Sequence, residues 1–341
     1  MLRLSVLDQS PISEGSTASD ALHNTIDLAR LADELGYFRY WVAEHHGTPM
    51  LGGPSPEALI GPIAAATSRM RVGSGGVMLP HYSPLKVAEN FSVLSGLFPG
   101  RVDLGIGRAA GTDPLTTFAL QRDRRQAGPD DFPEQLGELL GYLHGRLPDD
   151  HPFARHATLL GGAHTAEPWL LGSSAQSAIW AAELGLPYVF ADFINSAGAE
   201  IAALYRNRFV PSDQLRAPYL VVATWALAAD TTAEAERLAS SSRMAMSLLR
   251  RGHSIPVPAV ETAERFLMEQ ATSLAGIAPR RRTVLGDPAT VRSGIEAVVS
   301  EYNADEVMVV TITHDHAARR RSYELIARAF ELGSIRDRKS P

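Results

Sequence analysis

The chain has 341 residues, 45% of them hydrophobic, and a formal net charge of −6, which gives no basis for binding nucleic acid or an anionic membrane. It contains no cysteine, so disulfides, thiolate catalysis, cysteine-ligated zinc and iron–sulfur clusters are excluded. No run of about 18 uncharged apolar residues occurs, so no membrane span is expected, and the apolar run at the N-terminus is broken by Asp8 before it could serve as a signal peptide, so a cytoplasmic protein is expected.

Short apolar runs alternate with longer amphipathic ones along the chain. "LRLSVLD" (2–8) predicts a strand, and "DALHNTIDLARLADELG" (20–36) a helix ending on Gly36, a residue suited to a left-handed C-cap. "YFRYWVAE" (37–44) is the next strand, followed by a helix over 55–68 with Pro56 in its first turn. "MRVGSGGVML" (70–79) predicts a glycine-containing strand, 83–100 a helix, and "RVDLGIG" (101–107) a strand. An irregular, charged stretch covers 108–131. Helices are then predicted over 133–145, 175–185, 197–209 and 232–252, and strands over 167–174, 187–193 and 218–228. A second irregular region runs from 253 to 283, with a helix inside it at 260–273. A helix over 287–303 capped by Asp287, a strand over 305–312 and a helix over 317–331 complete the pattern, and residues 336–341 form a tail.

Eight strands each followed by a helix imply parallel strands. They favour a closed (β/α)8 TIM barrel in one domain (1–335), with insertions after strand 4 and before strand 8. An open doubly wound sheet competes, but "DQSPISEGSTASD" after the first strand is not a nucleotide loop. In a barrel the chemistry sits at the C-terminal strand ends. Those ends are Asp8–Ser10, Glu44–His46, Gly75–Pro80, Gly107–Arg108, Gly172–Ser174, Asp192–Asn195, Trp225 and Thr311–His314.

"AEHH" (43–46) admits a metal site, a structural histidine pair, or a functional site where a neutral imidazole moves a proton near pH 7. Adjacent strand residues face opposite ways, and only "THDH" (313–316) offers further ligands, which weighs against a metal. "VGSGGVMLP" (72–80) marks either a bulge or a close approach by something flat. "DLGIGRAAG" (103–111) fits a loose dinucleotide fingerprint, but no second strand and acid follow it, so Arg108 remains as an anion ligand. In "LLGSSAQSAIWAAELG" (170–185), Gly172, Ser173 and Ser174 precede a helix and could cradle a phosphate, or a serine could only cap the helix. No Gly-x-Ser-x-Gly elbow is present. Glu44 with Asp8, Asp103 or Asp192 could form a carboxylate pair for glycoside hydrolysis. The arginine-rich stretches at 122–125, 280–283 and 318–322 read as solvated faces or loop anchors.

Taken together, "LSVLDQSP", "WVAEHH", "GSGGVMLPHYSPLKVAENFSVLSGLFPGRVDLGIGRAAGTDP", "LLGSSAQSAIWAAELGLPYVFA" and "VMVVTI" resemble the bacterial luciferase-like, flavin-dependent monooxygenases over nearly the whole chain. The likeness is closest to the luciferase α-chain-like branch, some of whose members serve natural-product pathways. The resemblance implies a homodimeric (β/α)8 barrel using reduced FMN (FMNH2) supplied by a separate flavin reductase. By the same resemblance His45 matches the active-site histidine and Glu44 the acid before it. Gly75 and Gly76 fall where the family places a non-prolyl cis peptide under the isoalloxazine ring. Arg108, Ser173, Ser174 and Ser177 match the phosphate site, and 253–283 corresponds to a mobile lid. Two departures stand out: the reactive cysteine of true luciferases is Gly107 here, which argues against light emission, and a second phosphate arginine has no match in 121–135.

The resemblance implies oxygenation of an apolar organic substrate through a flavin C4a-(hydro)peroxide, by epoxidation, hydroxylation or Baeyer–Villiger insertion. His45 would protonate the peroxide or act as base, Glu44 would fix its orientation, and His46 would be structural. Met78, Leu79, Tyr82, Phe193 and Trp225 near strand ends suggest the apolar substrate. The alternatives are an F420-dependent oxidoreductase on the same fold, a non-catalytic flavin-binding subunit, and a barrel hydrolase with paired carboxylates.

Overall fold

Eight parallel strands, each leading into helix, close on themselves in the computed structural model, which describes residues 2–108, 113–121, 131–157, 164–270 and 282–333. The "RDRR" stretch, the middle of the 253–283 region and the tail 336–341 lie outside the described residues. The elements follow in chain order. β1 (Arg3–Asp8), α1 (Ala18–Leu35), β2 (Arg39–Val42), α2 (Pro56–Ala66), β3 (Arg71–Met78), α3 (Pro84–Leu97) and β4 (Val102–Gly107) form the first half. α4 (Pro114–Leu120), α5 (Phe132–Leu143) and α6 (Ala154–Ala157) fill the first insertion. β5 (Glu167–Gly172), α7 (Ala175–Glu183), β6 (Tyr188–Ala191), α8 (Ala199–Arg208), β7 (Leu220–Ala228) and α9 (Thr232–Leu249) follow. α10 (Val260–Gln270), β8 (Val284–Gly286), α11 (Pro288–Tyr302), β9 (Glu306–Val310) and α12 (His316–Ala329) end the described chain.

The strand order is β6-β5-β4-β3-β2-β1-β9-β7, and β6 pairs with β7 to close the barrel. The sequence pattern predicts these eight strands. It misses β8, three residues that extend the C-terminal end of β7 through Ala226, Leu227 and Ala228 from outside the ring. It also misses α4, which Asp113 caps through the amides of Leu115 and Thr116. α4 buries no residue, so no apolar stripe betrays it.

Local signals account for several helix ends. Thr17 and Asp20 form a reciprocal capping box at the start of α1, and Gly36 closes it with φ 89°. Asp287 caps α11 through the amide of Thr290. The strands read as near-continuous apolar runs because both faces are covered, by helices outside and by facing strands inside.

The barrel interior holds Leu7, Trp41, Trp169, Val189, Val221, Met308 and Val310. Its N-terminal floor is polar. Arg39 pairs with Asp103 (2.8 Å) and Glu306 (2.8 Å), and its guanidinium lies 4.3 Å from the Trp169 ring centroid. Trp41 Nε1 donates to Asp103 at 2.9 Å. The residues on this floor hold one another, and the opposite end of the barrel is left for the site.

Candidate active site

The loop after β2 carries the two histidines, and backbone bonds fasten it. The His45 amide donates to Gly53 O (3.1 Å), Gly52 N to Ser10 O (2.8 Å), and Ile12 N to Met50 O (2.8 Å). The first residues of the second insertion pin the same loop. Ser254 bonds Thr48 at 2.8 Å, and Val257 exchanges backbone bonds with Ile12 and Glu14. The start of the 253–283 region is thus stitched to the barrel mouth.

His45 lines the cavity at this mouth. Part of the residue is reachable from the cavity, but Nδ1 is sealed and has no hydrogen-bond partner. Burial, and then the neighbouring His46, lower its pKa from 6.5 to about 4, so the imidazole is neutral at pH 7. Glu44 does not orient it, contrary to the expectation from the resemblance. The buried Glu44 carboxylate turns the other way and accepts from His46 Nε2 (2.6 Å), Tyr82 OH (3.0 Å) and Met78 N (2.9 Å). Among the described residues no group of three or more histidines and carboxylates could hold a metal ion.

The cavity has a volume of about 440 Å³. It brings together His45, Gly75, Gly76, Arg108, Gly172, Ser173, Ser174 and Ser177; of the catalytic and cofactor-binding residues that the resemblance implies, Glu44 does not line it. The Gly75–Gly76 peptide is cis, and the β3–β4 register shifts between Ser74 and Val77. A Cβ on Gly75 would lie 2.4 Å from Leu7 Cδ1, and one on Gly76 2.9 Å from Gly105 O. Glycine there lets the backbone of β3 close against its neighbours, which makes this stretch of wall smooth.

At the other end, Ser174 caps α7 and Arg108 stands exposed beyond β4, its guanidinium carbon 5.6 Å from the Trp180 ring centroid. The start of α7 and Arg108 together suit an anion. Ser177 is turned inward: its hydroxyl donates to Ser174 O (2.8 Å) and bonds Tyr188 OH (2.9 Å). A Cβ on Gly172 would fall 2.2 Å from Ser177 Oγ, so Gly172 is what allows the serine to sit there.

The sequence expectations miss several lining residues. Phe132 and Trp180 form a tilted aromatic pair, 5.3 Å between centroids; Gln9 and Ile194, within the strand ends expected at the mouth, also face the cavity. Trp180 was findable, because it lies three residues past Ser177 on the same helix face. Of the apolar residues expected to meet a substrate, Met78 and Phe193 line the cavity. Leu79 is fully buried in the outer core, Trp225 donates to Phe193 O, and Tyr82 is engaged by Glu44. No carboxylate lines the cavity among the described residues. Asp8 is held by Arg319 and Tyr40, Asp103 by Arg39 and Arg71, and Asp192 by Thr224 and Tyr302. The paired-carboxylate hydrolase therefore has no pair in the cavity.

A closed parallel barrel gathers a neutral imidazole, a glycine wall and an arginine beside a helix start around one cavity at its C-terminal mouth, where enzymes of this architecture place their chemistry. Comparison with known proteins gives the family. The luciferase-like monooxygenase model matches residues 2–304. The uncharacterized protein YwcH of Bacillus subtilis (strain 168) is 45% identical over 97% of this chain and 99% of its own. The N-acetyl-S-alkylcysteine monooxygenase of the same organism is 37% identical over 96% and 98%. The crystal structure of apo-MsnO8 superposes with a TM-score of 0.88 at 40% identity, covering 97% of this chain and 98% of that one. The chain belongs to the luciferase-like monooxygenase family, and it is a flavin-dependent monooxygenase.

Proposed function

We propose that this protein is the oxygenating component of a two-component system, using FMNH2 from a separate flavin reductase and dioxygen to oxygenate an apolar organic substrate. The observation that carries the proposal is a single cavity with an anion cradle at one end and a neutral, desolvated imidazole at the other. The residues fit FMN. Ser173, Ser174, the α7 amides and Arg108 would hold its phosphate, with Ser177 fixing the turn. The glycine stretch at Gly75 and Gly76 with Leu7, Leu171 and Val189 would pack against its ring.

When bound, reduced FMN supplies the two electrons that reduce dioxygen, so that one oxygen atom enters the substrate and the other leaves as water. The apolar lining excludes the water that would divert this chemistry into hydrogen peroxide release. His45, neutral at pH 7, acts as a hydrogen-bond partner or proton acceptor beside the reacting atoms. Met78, Phe193 and Ile194 favour an apolar substrate, of the kind met in natural-product pathways. The active form is a homodimer. The start of the second insertion is anchored beside the mouth at Ser254 and Val257.

The test is an anaerobic titration of the pure protein with FMNH2 and with reduced F420, followed by dioxygen and candidate substrates with mass spectrometry. Uptake of FMNH2 and a gain of one oxygen atom support the proposal. Tight binding of F420 alone would overturn it.

A further inference from the structure

We infer that Glu44 is a positioning residue for the cavity wall at Met78, acting on the cofactor site through that wall and not through His45; the inference rests on the flavin reading above.

The β2–β3 ladder ends at the pair Val42 and Ser74. Beyond it no strand carbonyl of β2 is paired with β3, yet β3 continues to Met78. Glu44 Oε2 accepts the Met78 amide at 2.9 Å, taking the place of the missing ladder acceptor. Oε1 accepts from Tyr82 OH and His46 Nε2, so one fully buried carboxylate ties the end of β2 to the end of β3 and to the turn after it. Tyr82 stays a donor, since burial and then Glu44 push its hydroxyl well above the ordinary range. On its other side Met78 pairs with Gly107, and a Cβ on Gly107 would come 3.0 Å from Met78 Sδ. Met78 therefore stands between the Glu44 anchor and the strand that leads into Arg108. Its placement sets the width of the cavity between the His45 side and the anion end.

What the wall needs from residue 44 is an acceptor of glutamate length. Charge is secondary. Glu44→Gln keeps an amide oxygen at that reach, and Glu44→Asp keeps the charge but is one methylene too short for the Met78 amide. Two measurements test this. The first is hydrogen exchange in the 75–82 segment of the flavin-free protein. The second is titration with oxidised FMN, read by flavin fluorescence and by the visible spectrum of the bound flavin.

Glu44→Ala and Glu44→Asp are expected to speed exchange at Met78 by about tenfold or more, weaken FMN binding by about tenfold, and shift the bound-flavin spectrum. Glu44→Gln is expected to stay within about threefold of wild type in both measurements. A Gln variant as impaired as Ala would overturn the inference, as would an Asp variant that behaves like wild type. Should Glu44→Ala not fold, the ordering of Gln above Asp still decides. If wild type takes up no FMN, oxidised or reduced, the flavin reading fails, while the exchange data alone still settle the role of Glu44 in the wall.

Discussion

His45 offers a sharp test of the site's electrostatics. Its folded pKa of about 4 lies below the ordinary 6.5, chiefly through burial. The unfolded chain therefore binds a proton at this residue before the folded chain does, and stability is lost as pH falls from 6.5 towards 4. Above pH 7 the contribution is negligible. At pH 5 linkage gives a loss of about 2 kcal/mol relative to pH 7.5. Replacement by glutamine removes the titration. The urea-unfolding free energy of wild type minus that of His45→Gln should then fall by about 2 kcal/mol between pH 7.5 and 5. The histidine ring resonance that disappears in the variant should not titrate above pH 5. A midpoint near 6.5 for that resonance, or a pH-independent stability difference, would refute the claim that the ring is desolvated.

Three further outcomes follow from the same geometry. Arg108→Ala should weaken FMN by about 10- to 100-fold and leave riboflavin, which lacks the phosphate, unaffected in a paired fluorescence titration. Gly172→Ala forces a Cβ to within 2.2 Å of Ser177 Oγ and should cost about 1–3 kcal/mol of stability by denaturant unfolding, with a parallel loss of FMN affinity. Arg39→Met removes the cation paired with Glu306, which keeps only the Ser5 and Tyr219 hydroxyls, and one of the hydrogen bonds to Asp103, and should destabilise by about 3–5 kcal/mol, measured as a fall in the urea midpoint.

The fold was legible because a parallel barrel writes itself as alternation: each strand is a short apolar run and each helix a longer amphipathic one. β8 and α4 escaped, the first at three residues too short for any period, the second with no buried face. Much of the site could also be located, since its polar residues stand at strand ends that a barrel gathers at one mouth. Partnership could not. Glu44 and His45 are neighbours in sequence, and only the path of the chain past Val42 shows that the carboxylate serves Met78 and Tyr82. Asp103 read as a mouth carboxylate only until the register put it level with Trp41 and Arg39 on the floor.

One strand shows how the barrel divides its labour. β2 opens on Arg39, and the chain reaches Glu44 and His45 five and six residues further on. At the floor a buried cation is kept charged by two carboxylates that surround it. At the mouth an imidazole is kept uncharged chiefly by burial, and the adjacent carboxylate is bonded to other donors. Were Glu44 turned towards His45, the pair would favour the imidazolium and draw water into the apolar cavity. Directing Glu44 to the wall thus serves two ends: it fixes Met78, and it withholds from His45 a carboxylate that would favour the charged imidazole.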